Sequence, residues 1–234
     1  MRILAFDTVL DTCSAAVWDG TVVAVAREMR RAGHAEALVP MIENVMAEAG
    51  CSYADLDVVA VTRGPGSFTG LRVGLAAARA ISLAAACPAL GLTALEVVAA
   101  ATQPYVRSGE PILVSLDARR GAIYAQAFVL EGEDVRATSE ARRIEPGEAA
   151  GLLPRRGAVG RAVGGGVVVG DAAALVAAAV ADGSFTVAPS PALPDAAVLA
   201  ALAATRIGRL GMPSGEPPTP LYLRPPGARR AADG

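Results

Sequence analysis

Two aspartates each close an apolar run: Asp7 in "RILAFDT" and Asp117 in "PILVSLDA". Carboxylates at two strand ends, facing each other over a cleft, could hold a hydrated Mg²⁺. Each could equally cap a turn at its own strand end. Between them lies "TRGPGSFTGLRVG", starting at Thr62, where Gly64, Gly66 and Gly70 run into an Ala-rich segment. Glycine-freed N–H groups at a helix start attract anions, so Gly64 and Gly66 join Asp7 as candidate cofactor-binding residues. The same loop can instead launch a helix with Ser67 or Thr69 as its N-cap. Nucleophile chemistry fits poorly. Phe68 and Thr69 separate Ser67 from Gly70, so the spacing is not that of a G-x-S-x-G elbow. All 21 basic residues are arginine, which removes Schiff-base and phosphate-loop lysine chemistry. His34 is the only histidine. A multi-histidine metal site is therefore impossible within the chain, and "HAEAL" lacks the second ligand of a zinc-protease helix.

The elements that must position these groups are legible from periodicity. Arg2–Phe6, Cys13–Trp18 and Thr21–Glu28 read as three strands, with Asp19-Gly20 as a hairpin turn. Leu38, Ile42, Val45 and Ala49 repeat at helical spacing, and Pro40 predicts a kink or a late helix start there. "LDVVAVTRG" is an apolar strand, the glycine-rich loop opens a second helix, and "PALGL" and "TALEVVAAAT" follow as strand and helix. The pattern then restarts. "PILVSLDA", "GAIYAQAFVL" and "VRATSEARRI" read as three strands, Pro146–Leu153 as a short helix, and "GVVVGD", "AAALVAAAV" and "DAAVLAALAATRIGR" as strand, helix and helix. Two copies of one layout predict an α/β protein of two RNase H-like lobes. The expected divisions are 1–105 and 106–212, then a proline-rich tail over 213–234. "PRRGAVGRAVGGG" reads as a loop, and 131–165 carries the weakest signal.

Composition narrows the function classes. Hydrophobic residues at 53% exclude a disordered chain, and a net charge of −2 gives no overall field for nucleic acid. The basic tail "RPPGARR" is a weak RNA signal without interleaved aromatics. Three scattered cysteines, Cys13, Cys51 and Cys87, suit reduced thiols in a cytoplasmic protein. The apolar stretch from Val73 to Leu90 is broken by Arg79 and Pro88, so no membrane span is expected. The helix after Gly70 is apolar or small almost all round, which predicts burial on more than one side, against the sheet and against either a neighbouring helix of the same chain or another subunit. We therefore expect a docking seam built from His34, Leu38, Met41, Ile42 and Val45 on one helix and Leu71, Gly74, Leu75 and Ala78 on the next.

"ILAFDT", "HAEALVPMIENVM", "LDVVAVTRGPGSFTGLRVGLAAARAISLA", "LGLTALEVVA", "VSLDARRGAIYAQAF" and "PLYLR" occur in this order and together resemble the bacterial TsaB (YeaZ) family. The resemblance implies an actin/Hsp70-like ATPase fold and a non-catalytic subunit in the synthesis of tRNA N6-threonylcarbamoyladenosine. It implies pairing with the paralogue TsaD, or with a second copy, through the two N-terminal-lobe helices. It also implies work alongside the ATPase TsaE on the product of TsaC, with tRNA touched only indirectly. No cofactor is assigned to the subunit itself; ATP with Mg²⁺ at the joint between partners is allowed. The paralogue's two metal-ligand histidines align with Ala94 and Val98, neither of which can bind a metal. The rival expectations are an autonomous ATPase or sugar kinase of the same fold, motivated by Asp7 and Asp117, and an M22-type peptidase.

Overall fold

A computed structural model describes residues 1–153, 166–180 and 185–223. Of the loop expected over 154–166, residues 154–165 lie outside them, as does the basic tail beyond Leu223; Gly166 opens a strand. The chain forms two sheets of like topology. The first holds β1 (Arg2–Asp7), β2 (Thr12–Asp19), β3 (Val22–Met29), β4 (Val58–Thr62) and β5 (Ala89–Leu92) in the order β3-β2-β1-β4-β5. β1 to β3 are antiparallel, and β4 and β5 add in parallel. The second holds β6 (Ile112–Asp117), β7 (Ile123–Glu131), β8 (Asp134–Ala137), β10 (Gly166–Val169) and β11 (Phe185–Val187) in the order β8-β7-β6-β10-β11. Its pairing repeats the first, antiparallel then parallel. The duplicated layout expected from "ILAFD" and "ILVSLD" is thus a duplication of topology.

The expected third strand of the second half is broken. β8 pairs with Phe128–Glu131, and a separate β9 (Arg142–Ile144) pairs with Ile123–Ala125 of the same β7. β11 carries no alternating signal and pairs only with β10. The helix expected at 146–153 is a 3-10 segment over Pro146–Leu152.

Central strands β1, from Ile3 on, and β4 are buried, which explains their continuous apolar runs. α1 (His34–Glu48) lies on β2 and β3, and α2 (Phe68–Ala85) lies on β4. α1 starts at His34 and runs through Pro40, contrary to the expected kink or late start. Pro40 is exposed, so water can reach the Glu36 carbonyl that its missing N–H leaves free. α2 has the length and hydropathy (mean 1.2) of a membrane span. In the fold, however, its Leu71, Gly74, Leu75 and Ala78 face is buried in the chain.

Two helices change sides at the junction. α3 (Ala94–Ala100), capped by Thr93, packs against β6, β7 and β8 of the second sheet. α5 (Ala196–Leu210) falls in the range expected for the second lobe, yet it covers the first sheet from β1 to β5. Its buried Leu199, Ala200, Ala203 and Ile207 recur at helical spacing, so one stripe serves this sheet. α4 (Ala173–Ala179) lies on β10 and β11. All three cysteines are free thiols; Cys13 and Cys87 are buried.

Candidate functional site

The turn after β1 decides what the glycine-rich loop does. Thr8, Val9 and Leu10 are buried, and the start of α2 closes over them. Thr8 Oγ1 donates to the Gly70 carbonyl at 2.7 Å, and Ser67 N–H donates to the Val9 carbonyl at 2.6 Å. A methyl group on Gly66 would meet the Val9 carbonyl, one on Gly70 the Thr8 carbonyl, and one on Gly74 would lie 2.7 Å from Thr8 Oγ1. Glycines at 66, 70 and 74 therefore let α2 ride directly on the β1–β2 turn. The space beside them is taken by the Thr8 and Val9 carbonyls and the Thr8 hydroxyl. Gly64, at φ +98°, has the Leu221 carbonyl 2.8 Å from where its Cβ would be. Ser67 caps α2 as expected, accepting from Gly70 N–H at 3.3 Å.

Asp7 is fully buried rather than facing a cleft. It accepts from Thr62 Oγ1 at 2.5 Å, Thr12 Oγ1 at 3.3 Å and Val9 N–H at 3.4 Å. Burial pushes its pKa up to about 6 against those three donors. Its pKa in the unfolded chain is 3.8. A raised folded value means a contribution that is complete below that unfolded pKa and lost as pH rises through about 6. We expect Asp7→Asn to match the wild type near pH 4 and to be about 2 kcal/mol more stable near pH 7.5. Urea melts across that range check this. A wild-type midpoint that does not fall with pH would contradict it.

Asp117 does border a cleft between the two sheets, but its counterpart is Asp11, which was not singled out in the sequence. The cleft has a volume of about 450 Å³ and is lined by Asp11, Arg31, Asp117, Arg119, Arg120 and Asp171, among others. Arg119 reaches across it to Asp11 at 2.8 Å and also bonds Asp117 at 3.3 Å. Arg31 approaches Asp11 from the other side at 3.4 Å. Asp171 accepts from Asp117 N–H at 2.8 Å, and burial raises its pKa. Three arginines thus face three aspartates. Among the described residues no group of three His, Cys, Asp or Glu side chains is placed to hold a metal ion. His34 is buried with Nε2 3.0 Å from the Leu10 carbonyl, so it pins the same turn and faces no nucleophile.

The docking seam needs correction. His34, Leu38, Met41, Ile42, Val45, Leu71, Gly74, Leu75 and Ala78 are all buried within the chain. Their stripes meet this chain's own sheet and turn. What α1 and α2 present outward is different: Glu36, Val39, Glu43 and Glu48 on α1, and Arg72, Ala76, Arg79, Ala80 and Leu83 on α2. Val39 is 50% exposed and Leu83 84%, which marks both as apolar side chains the monomer leaves in water.

A family model described as TsaD, tRNA N6-adenosine threonylcarbamoyltransferase, matches residues 25–186. The tRNA threonylcarbamoyladenosine biosynthesis protein TsaB of Escherichia coli is 35% identical over 125 residues, 53% of each chain. A tRNA N6-adenosine threonylcarbamoyltransferase of Erythrobacter litoralis is 51% identical over 72 residues, 31% of this chain and 21% of that one. The chain spans about half the length of the curated TsaB relatives it matches. The solved YeaZ from Pseudomonas aeruginosa superposes with a TM-score of 0.79 at 25% identity, over 95% of this chain and 99% of that one.

Proposed function

We propose that this chain, which belongs to the family of the threonylcarbamoyltransferase TsaD and within it to the TsaB (YeaZ) group, is a non-catalytic subunit of the cytoplasmic machinery that makes tRNA N6-threonylcarbamoyladenosine. It pairs with TsaD and works with TsaE on the TsaC product. One observation carries the non-catalytic part. The turn that would receive phosphates after β1 is filled by Val9 and Leu10 and sealed by α2. Ala94 and Val98, aligned with the paralogue's histidines, have 0% exposure, so neither faces a site.

The outward faces of α1 and α2 support docking. α1 shows glutamates and α2 shows arginines, so a related helix pair placed across a two-fold axis would set opposite charges against each other. The small Ala76 and Ala80 permit close helix approach. A charge at the buried Leu75 would disrupt the fold itself, so the informative variant is Val39→Arg combined with Leu83→Arg. We expect it to weaken pairing with TsaD by about 2–4 kcal/mol while leaving the melting temperature in place. Sedimentation of the mixed proteins reads this. In reconstitution with TsaC, TsaD and TsaE, omitting the chain should abolish tRNA modification. Undiminished modification without it would sink the reading.

The autonomous ATPase reading draws on the 450 Å³ cleft. Its test lies at the cleft: ATP hydrolysis by the pure chain, lost in Asp11→Ala, would revive it.

A further inference from the structure

We infer that Arg119 and Asp11 form a releasable latch across the cleft, and that the two sheets close and open over it about the joint made by α3 and α5.

Each half of the latch stands on a pinned rim. The Asp11 carbonyl accepts from Arg30 N–H at 2.9 Å, and His34 holds the turn before it through the Leu10 carbonyl at 3.0 Å. On the other side, Ala118 N–H donates to the Ala122 carbonyl at 3.0 Å across the β6–β7 turn. Asp117 N–H ties the same turn to Asp171 at 2.8 Å. From this turn Arg119 Nη2 spans to Asp11 at 2.8 Å. Among the described residues it is the only ion pair between the two rims of this cleft.

Parting the pair strands neither charge. Arg119 keeps Asp117, on its own side, at 3.3 Å, and Asp11 keeps Arg31, on its own side, at 3.4 Å. Arg119 is also 64% exposed, so water solvates it as it leaves. An exposed pair of this kind biases an equilibrium by a factor of roughly 2 to 5. The joint between the sheets is built the opposite way. Asp134 is paired with Glu131 at the end of β7 remote from Ile123, the partner of Asp117. It is enclosed and leans on Arg206, so pulling the sheets apart there would bury an unmatched charge. One end is thus made to part and the other to hold.

The backbone shows that residue 119 is an arginine for its side chain. Arg119 and Arg120 both lie in the left-handed region, at φ +62° and +57°, and Gly121 follows at +78°. Glycine adopts that conformation without the strain a side chain brings. Arg119→Gly therefore removes the latch while easing the turn. Arg120 has the same backbone and, among the described residues, no ion pair, so Arg120→Gly is its matched control.

The test is double electron–electron resonance on the full chain carrying Cys51→Ala, spin-labelled at Met29→Cys and Ala174→Cys. Both positions are exposed, one two residues before Arg31 and one beside Leu175 of the cleft, and Cys13 and Cys87 are buried away from the label. The parent should give a main short distance and a minor longer one. Arg119→Gly and Asp11→Asn should each raise the long-to-short ratio about 2- to 5-fold at an unchanged melting temperature. Combining them should add nothing, because both remove one bond. About 1 M salt, where the screening length is roughly 3 Å, should shift the parent in the same way and leave Arg119→Gly where it is. Arg120→Gly should match the parent. A single distance that never changes overturns the proposal and makes the cleft rigid. Arg120→Gly acting as strongly as Arg119→Gly overturns it too, by assigning the opening to strain in the turn. A salt response that survives Arg119→Gly does so by assigning it to other charges.

Discussion

Gly70→Ala is expected to destabilise the chain by about 4 kcal/mol, lowering its melting temperature by roughly 10 °C. Inside a helix, alanine normally gains about 1 kcal/mol over glycine. Here the added methyl would run into the Thr8 carbonyl oxygen. Backbone stands on both sides of that clash, so no rotamer change relieves it. α2 would have to lift off the β1–β2 turn. Lifting it breaks the Thr8 Oγ1–Gly70 and Ser67 N–H–Val9 hydrogen bonds and lets water reach Val9. It also opens the roof over Asp7 and its partner Thr62. Gly208→Ala in α5 is the control, because nothing lies within 4 Å of its Cβ position. That change should stabilise by about 0.5–1 kcal/mol. Thermal or urea melts of the two variants side by side read the difference. Equal effects would mean that the loop's glycines are there for some reason other than this close approach.

The same contact shows where sequence reading stops. Hydrophobic period located β1, β2, β4, α1, α2 and α5, and the restart at "ILVSLD" located the second sheet, because those patterns are local. The side a stripe faces is not local. Leu38, Ile42, Leu71 and Leu75 are spaced as a docking seam would be, but the same spacing serves a helix lying on its own sheet, and that is where they are buried. Asp7 ends a strand as a metal-facing carboxylate would. Only its pairing with Thr62, 55 residues on, shows it to be a core group. Asp11 was legible in principle, as the first polar residue after the apolar Val9 and Leu10. It gains its role from Arg119, 108 residues away. The break between β8 and β9 was hidden because "VRATSEARRI" alternates well enough to pass for one strand. Pro40 misled in the other direction, since a proline on a helix's exposed face interrupts less than one against the core.

The two sheets are joined by helices that each pack on the other's territory, and the charges at that joint make the second large effect. Arg206 on α5 bonds Asp134 of β8 at 3.0 Å and Glu96 of α3 at 3.3 Å. Asp134 is nearly enclosed, with 3% of its side chain exposed, and Arg206 has 18%. Burial alone would lower the Arg206 pKa, but its two carboxylates raise it, so the guanidinium stays charged. Glu96 is doubly employed: one carboxylate oxygen accepts from Thr93 N–H at 2.8 Å to cap α3, and the other meets Arg206. Arg206→Met keeps much of the stem's packing and removes the charge. Asp134 and Glu96 then face each other's field with only Arg209, half exposed, still on Asp134 at 2.8 Å. We expect a loss of about 3 kcal/mol, the lower end for stranding buried charges because Arg209 remains. Adding Asp134→Asn should return more than half of it, since the stranded charge rather than the lost attraction is the main cost. Denaturant melts of the single, double and Asp134→Asn chains close the cycle. If the double variant is as unstable as the sum of the singles, the three groups act independently and the joint is held by its apolar contacts alone.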